Sequence, residues 1–224
     1  MTFLFAFQAS KSLTEEFNEV LNAFANGIPA QPQAGAVVSL AQRYADEIVD
    51  ALVVNLMKGS SPSSSAPKVL ETVASVIKGA SHTLVRQVLA KMSNAELQPL
   101  TTYIAARRTQ HMVKGTLRDF ISFDLAKADY DLLQQAWADA AAEGINQAAM
   151  TQAMLRFSEL AIQAFYQESA QAVKLGFIAR NVFAVGEAAI RKGSQAAIRR
   201  LIPALKPTEL KAFGRYFGDM LMAV

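Results

Sequence analysis

The chain has 224 residues, 52% of them hydrophobic and 18% charged, with a formal net charge of +3 and no cysteine. That balance excludes a disordered chain, which needs low hydrophobicity and high net charge. The lack of thiols excludes disulfides, thiolate chemistry, zinc ribbons and cysteine-ligated iron–sulfur clusters, and it fits a cytoplasmic location.

Ala, Leu, Gln, Glu and Arg fill long stretches and strand signals are scarce, so an all-α protein of about eight helices is expected. The opening MTFLFAFQASKSLTEE is apolar for a few residues but has no basic leader, full apolar core or cleavage site, and is not read as a signal peptide. Ser12 and Glu15 form a capping box ahead of Leu13, Phe17, Val20, Leu21 and Phe24, which share one helical face. Helix 1 then runs to about Asn26, Gly27 caps it, and the stretch from Gly27 to Gly35 is a loop. Leu40, Tyr44, Ile48, Leu52 and Leu56 mark helix 2, from Ala36 to Lys58, closed by Gly59.

The apolar run from Ala51 to Met57 is far short of the ~20 residues that span a bilayer, so no membrane span is expected. SSPSSSAP, Ser60 to Pro67, is a low-complexity linker, flexible on composition. Helix 3 follows from about Lys68 to Met92, with a break near Gly79. Ser93 and Glu96 then cap helix 4, which carries Leu97, Leu100, Tyr103 and Ile104.

Laid on the first half with a shift of 113 residues and no gap, the second half repeats this pattern. RYADEIVDAL from Arg43 lies on RFSELAIQAF from Arg156, FNEVLNAFAN from Phe17 on YDLLQQAWAD from Tyr130, and NAELQPLTTYI from Asn94 on PTELKAFGRYF from Pro207. Only 15 of 111 aligned positions are identical, which helical periodicity in an alanine-rich chain could itself produce. A single ungapped register across several segments favours duplication. Two related four-helix units are therefore expected, residues 1–112 and 113–224, packed as one globule with approximate two-fold symmetry. The stretch VKLGFIAR from Val173 to Arg180 lies on the linker and reads as helical. Tyr44 with Phe157, Phe24 with Trp137, Leu97 with Leu210 and Tyr103 with Tyr216 are the expected paired core positions.

Catalytic signals are weak. Glu96 and Glu209 match between the halves, but each lies three residues into a helix, where a carboxylate answers unpaired N–H groups, and Pro207 suits a first helical position. Arg43 and Arg156 read as ion-pair residues. His82 and His111, the only histidines, lack metal-ligand spacing and read as surface or helix-end residues. Asp46, Glu47 and Asp50 share one helical turn without a Glu-x-x-His partner and read as a solvated patch. No phosphate loop, nucleophile elbow or dinucleotide fingerprint is present, so no catalytic residue, cofactor or metal ligand is assigned and the reading leans away from an enzyme.

Charge gives the one candidate binding face. Between Lys174 and Arg215 nine Lys or Arg stand against Glu187 and Glu209, whereas residues 1–66 hold three basic and six acidic residues. Gln87, Ser93, Gln98 and Thr102 of the first half become Arg200, Lys206, Lys211 and Arg215 in the second. These four would meet an anionic partner, against the simpler account of a solvated surface. Two helices joined at LKPTE have the general form of a helix-turn-helix, although Phe213, Tyr216 and Phe217 suit a core better than base reading. The expected function is a non-enzymatic interaction module binding a protein partner or a second copy of itself. The alternatives are a nucleic-acid-binding or regulatory protein using the basic helices, and a binder of apolar ligands or membrane surfaces.

Overall fold

A computed structural model of the chain describes residues 1–55, 66–143 and 146–224. Helices dominate it, eight of them twelve residues or longer among the described residues. The all-α expectation nevertheless needs correction, because the apolar start of the chain is a strand. β1 (Phe3–Gln8) alternates Phe3, Phe5 and Phe7, which pack on the helical core, with Leu4 and Ala6 on the opposite face. Five apolar residues in a row ahead of a helix cannot be assigned by helical periodicity, and the alternation of phenylalanines was the available strand signal.

Chain order after β1 is α1 (Lys11–Phe24), α2 (Ala34–Val49), α3 (Ala66–Leu89) and α4 (Asn94–Ala106). A hairpin follows, β2 (Arg108–Val113) and β3 (Thr116–Leu125), then α5 (Lys127–Glu143), α6 (Gln147–Ile162), the single turn α7 (Glu168–Gln171), α8 (Phe177–Leu201), α9 (Pro207–Gly218) and β4 (Leu221–Ala223). The strands form one antiparallel sheet in the order β2-β3-β1-β4, with Phe5 opposite Phe123 in the centre and opposite Leu221 toward the edge. Lys114 (φ 49°) and Gly115 (φ 78°) make the two-residue turn between β2 and β3. Positive φ at both positions matches the right-handed twist of a hairpin.

Local capping differs from the sequence reading at helix 1. Ser10, not Ser12, is the N-cap: its Oγ accepts from the Leu13 N–H at 3.1 Å, and its own N–H donates to Glu47. The extra strand accounts for this, since the chain leaves β1 at Gln8 and turns into the helix two residues earlier. The capping box at Ser93 and Glu96 is present, and Glu209 accepts from the Lys206 N–H at the start of α9, with Pro207 at the first helical position. α3 passes Gly79 unbroken. Val173 to Gly176 is not helical, and α8 begins only at Phe177. The expected end of helix 2 at Lys58 and the linker serines from Ser60 to Ser65 lie outside the described residues.

α2 and α6 each continue into one π-helical turn, Asp50–Val54 and Gln163–Gln167. Between sheet and helices the core is aromatic. Phe5, Phe17, Trp137 and Phe217 are fully buried, and Trp137 lies 5.5 Å from Phe157 and 5.2 Å from Phe217, ring centre to ring centre. Tyr44, Phe157, Phe24, Trp137, Leu97 and Leu210 are all buried, as their helical stripes imply. Tyr103 and Tyr216 are half-buried because each keeps a hydroxyl on a carbonyl.

Candidate ligand-binding site

α2, α3, α6 and α8 present apolar faces to one another, but several facing positions carry small side chains. Ala45, Ser81, Ser158, Ala161, Ser194 and Ala197 stand where larger residues would have closed the space. The result is an apolar cavity of about 210 Å³, walled by Ile48, Val49, Leu52, Ile77, Phe165, Ile190, Ile198 and Phe213 among others. A second cavity of about 110 Å³ adjoins it toward Tyr44, Leu84, Leu100, Tyr103 and Val173. Ala45, Ile48, Ser81, Phe165 and Tyr166 are walls of both.

Polar groups around this space are largely spoken for. Ser158 and Ser194 donate to carbonyls of their own helices, Leu155 and Arg191. The Tyr166 hydroxyl donates to the Phe183 carbonyl at 3.0 Å, with Gly186 leaving room for it. Burial and then the charge of Glu187 push its pKa up to about 12. Tyr103 donates to the Ala164 carbonyl and Tyr216 to the Ala51 carbonyl, each inside a π-helical turn. Burial pushes Tyr103 to about 12 and raises Tyr216. All three phenols are neutral donors at physiological pH.

Polar and charged pairs tie α2 to α3 and α6 to α8 beside the cavities. Lys78 meets Asp50 at 2.7 Å and His82 meets Asp46 at 2.8 Å, joining α3 to the α2 segment. Arg191 bridges Glu159 at 2.9 Å and Glu187 at 2.6 Å, and Gln195 donates to Glu159. These ties correct one sequence reading. Asp46, Glu47 and Asp50 are not a loose solvated patch, since each has a partner, Ser10 in the case of Glu47. Of the surface or helix-end reading for the two histidines the helix-end alternative falls, since His82 lies inside α3 and His111 in β2 against the Phe120 ring, while the His82 side chain stays 40% exposed. Arg43 and Arg156 are ion-paired as read, with Glu16 and Asp129, both at 2.6 Å.

The candidate binding residues from charge stand elsewhere. Arg200 is in the last turn of α8, Lys206 is the N-cap of α9, and Lys211 and Arg215 are one turn apart on α9. Arg200, Lys206 and Arg215 are exposed and Lys211 is half-buried, and none of the four walls either cavity. Sequence reasoning missed the cavity lining. Its trace was the run of Ala and Ser on otherwise apolar faces, which looks like ordinary helix propensity until the facing helices are known. Among the described residues no group of three or more His, Asp or Glu side chains is placed to hold a metal ion, and no helix is long and apolar enough to cross a membrane.

Comparison with protein-family models, with curated proteins and with solved structures gives no match to this chain.

Proposed function

We propose that the chain is a non-enzymatic binding module whose ligand is an apolar small molecule held between α2, α3, α6 and α8. The observation that carries this reading is the 210 Å³ cavity and its lining of aliphatic, aromatic and small side chains. A dry apolar cavity of about 150 Å³ is enough to bind benzene. Burying an apolar ligand there gains roughly 25 cal/mol per Å² removed from water without breaking a polar contact.

The reading includes a duplicated architecture, two units of residues 1–112 and 113–224 related by an approximate two-fold axis through the cavity. Several features support it. Adding 113 to the bounds of α2 and its π turn gives the bounds of α6 and its π turn. Glu16–Arg43 and Asp129–Arg156 are the same pair 113 residues apart. Tyr103 of one unit donates to Ala164 of the other and Tyr216 to Ala51, contacts that exchange under the same shift. The larger cavity is walled by corresponding residues from both units, including Ala45 with Ser158, Ile77 with Ile190 and Ser81 with Ser194. On this reading the ligand site belongs to the pairing of the units and to neither alone.

The test uses a neutral fluorophore, N-phenylnaphthylamine, titrated into the protein. Saturable binding is expected in the wild type and its loss in Ser81→Leu/Ser194→Leu, which fills the space from both sides while circular dichroism stays unchanged. A wild type that does not bind, or a filled variant that binds equally well, overturns the reading.

A second reading, in which Arg200, Lys206, Lys211 and Arg215 meet an anionic partner, is favoured by the exposure of three of the four. It concerns a different surface and does not compete with the cavity.

A further inference from the structure

The two ends of the cavity system are not alike, and the difference concerns polarity. The smaller cavity is walled by Tyr44 and Tyr103. The Arg107 guanidinium lies over the Tyr103 ring at 5.3 Å and is ion-paired with Glu168. At the corresponding places 113 residues away stand Phe157 for Tyr44, Met220 for Arg107 and Asn55 for Glu168. One end of the system thus carries an extra phenol and an ion pair that the other end replaces with a phenyl ring, a thioether and an amide.

Within that end, Tyr44 is the group without an occupation. It is 6% exposed, and its hydroxyl is buried with no hydrogen-bond partner, whereas Tyr103 beside it donates to Ala164. The ring itself packs edge-on against Phe17 and Phe165, each 6.1 Å away, and a phenylalanine would serve that packing, as Phe157 does in its own place. Buried polar groups are ordinarily satisfied, and an exception calls for a partner that completes it. The hydroxyl stays protonated, because burial holds its pKa well above the usual 10, so it is a donor in need of an acceptor.

Building on the apolar-ligand reading, we infer that the ligand is an uncharged amphiphile, with its apolar body in the larger cavity and a carbonyl or hydroxyl oxygen at the smaller one accepting the Tyr44 hydrogen bond. Two features favour an uncharged end over a carboxylate. The positive charge of Arg107 is already matched by Glu168, so an anion placed there would meet a carboxylate as well as a guanidinium. An ion carried into an apolar space without its own counter-charge loses more hydration than the site returns. A neutral oxygen asks only for one donor, and Tyr44 supplies it.

The experiment measures displacement of N-phenylnaphthylamine by three ligands of equal carbon number: n-undecane, methyl nonyl ketone and ionised undecanoate. In the wild type the ketone should displace the dye at about tenfold lower concentration than the alkane, the effect of one hydrogen bond to a donor otherwise left unsatisfied, with undecanoate the weakest of the three. In Tyr44→Phe, whose fold is checked by circular dichroism, the ketone should lose that advantage while the alkane is unchanged. Tyr103→Phe, which alters a hydroxyl that already has a partner, should leave the preference in place. Equal binding of ketone and alkane by the wild type, a preference that survives Tyr44→Phe, or undecanoate binding as tightly as the ketone each overturns the inference and leaves the apolar-ligand reading standing. If the dye does not bind at all, that reading fails and the inference falls with it.

Discussion

α9 lies on α5, and α4 lies near α1, two helix pairs that the 113-residue shift lays on one another in sequence, but the contacts are built differently. At Gly214 a Cβ would sit 2.6 Å from the Trp137 carbonyl oxygen and 2.7 Å from the Ala141 nitrogen, so backbone meets backbone. The counterpart of Gly214, 113 residues earlier, is Thr101, whose buried side chain donates to Gln98 within its own helix. Trp137 likewise has Phe24 as its counterpart, and only the tryptophan stands in the aromatic cluster with Phe5, Phe157 and Phe217. Similar amphipathic patterns have therefore been packed to different closeness. The second half carries the tighter and more aromatic contact.

Truncation should expose that difference most strongly. Trp137→Ala is expected to lower stability by about 5 kcal/mol, the upper part of the range for a large buried aromatic, and Phe24→Ala by about 3 kcal/mol. Urea unfolding followed by circular dichroism gives both numbers. Equal losses would mean that the two aromatics do equivalent work and that the asymmetry is one of appearance. The close approach is tested separately by Gly214→Ala. Its new methyl meets main-chain atoms that cannot swing aside, so a loss of about 3 kcal/mol is expected. Thr101→Ala, which removes a buried hydroxyl that donates to Gln98 in its own helix, should cost about 1 kcal/mol. A neutral Gly214→Ala would show that α5 and α9 can part without loss.

The sheet edges differ as well, in charge rather than closeness. Beside β2, Arg108 holds Asp119 through two hydrogen bonds of 2.9 Å, and Gln110 adds a third. The corresponding residues near β4 are Leu221 and Ala6, with no charge between them. Burial pushes the Asp119 carboxyl up, but the hydrogen bonds and charge of Arg108, with Gln110, outweigh it and hold the pKa below the ordinary carboxylate value. A pKa depressed by folding contributes stability that is fully present above the unfolded value, about 3.9, and is lost as pH falls through the folded value. Asp119→Asn should therefore cost about 1.5 kcal/mol at neutral pH, and the gap to wild type should narrow as pH falls below about 4. Thermal denaturation of both proteins from pH 7 down to about pH 2 measures it. A gap independent of pH would remove the ion pair as its cause.

Much of the helical layout was legible because amphipathic stripes and caps are local. Ser93 with Glu96 and Pro207 with Glu209 mark helix starts that need no tertiary information, and Arg43 and Arg156 are ion-paired as read, each with a carboxylate 27 residues earlier on another helix that the sequence did not single out. The sheet was less legible. β1 is six residues long, and its partner β3 lies more than a hundred residues away, so the pairing of Phe5 with Phe123 leaves no local mark in either segment. The cavity was illegible for a related reason. Ser81 and Ser194 look like unremarkable helix residues, and only the meeting of α3 with α8 turns their small size into space. Tyr44 read correctly as a buried aromatic, while its unpartnered hydroxyl leaves no mark in the sequence because only the folded surroundings decide whether an acceptor is within reach.

The smallest effect on stability is expected where the halves differ in surface charge. Arg200, Lys211 and Arg215 correspond to Gln87, Gln98 and Thr102, and exposure matches pair by pair: exposed, half-buried and exposed in both sets. Exchanging the basic residues for their counterparts, Arg200→Gln, Lys211→Gln and Arg215→Thr, removes three positive charges. Changing Gln87, Gln98 and Thr102 to Glu shifts net charge by the same amount, so the two variants differ only in where the change is made. Each substitution should alter stability by no more than about 0.5 kcal/mol, because these positions lie away from the packed core. On a heparin column the first variant should elute at lower salt than wild type and the second close to it, since contacts to a polyanion weaken as salt rises in proportion to the charges engaged. Identical elution of the two variants would mean that only net charge matters, and the end formed by α8 and α9 would then be no more of a binding face than its counterpart in the first half.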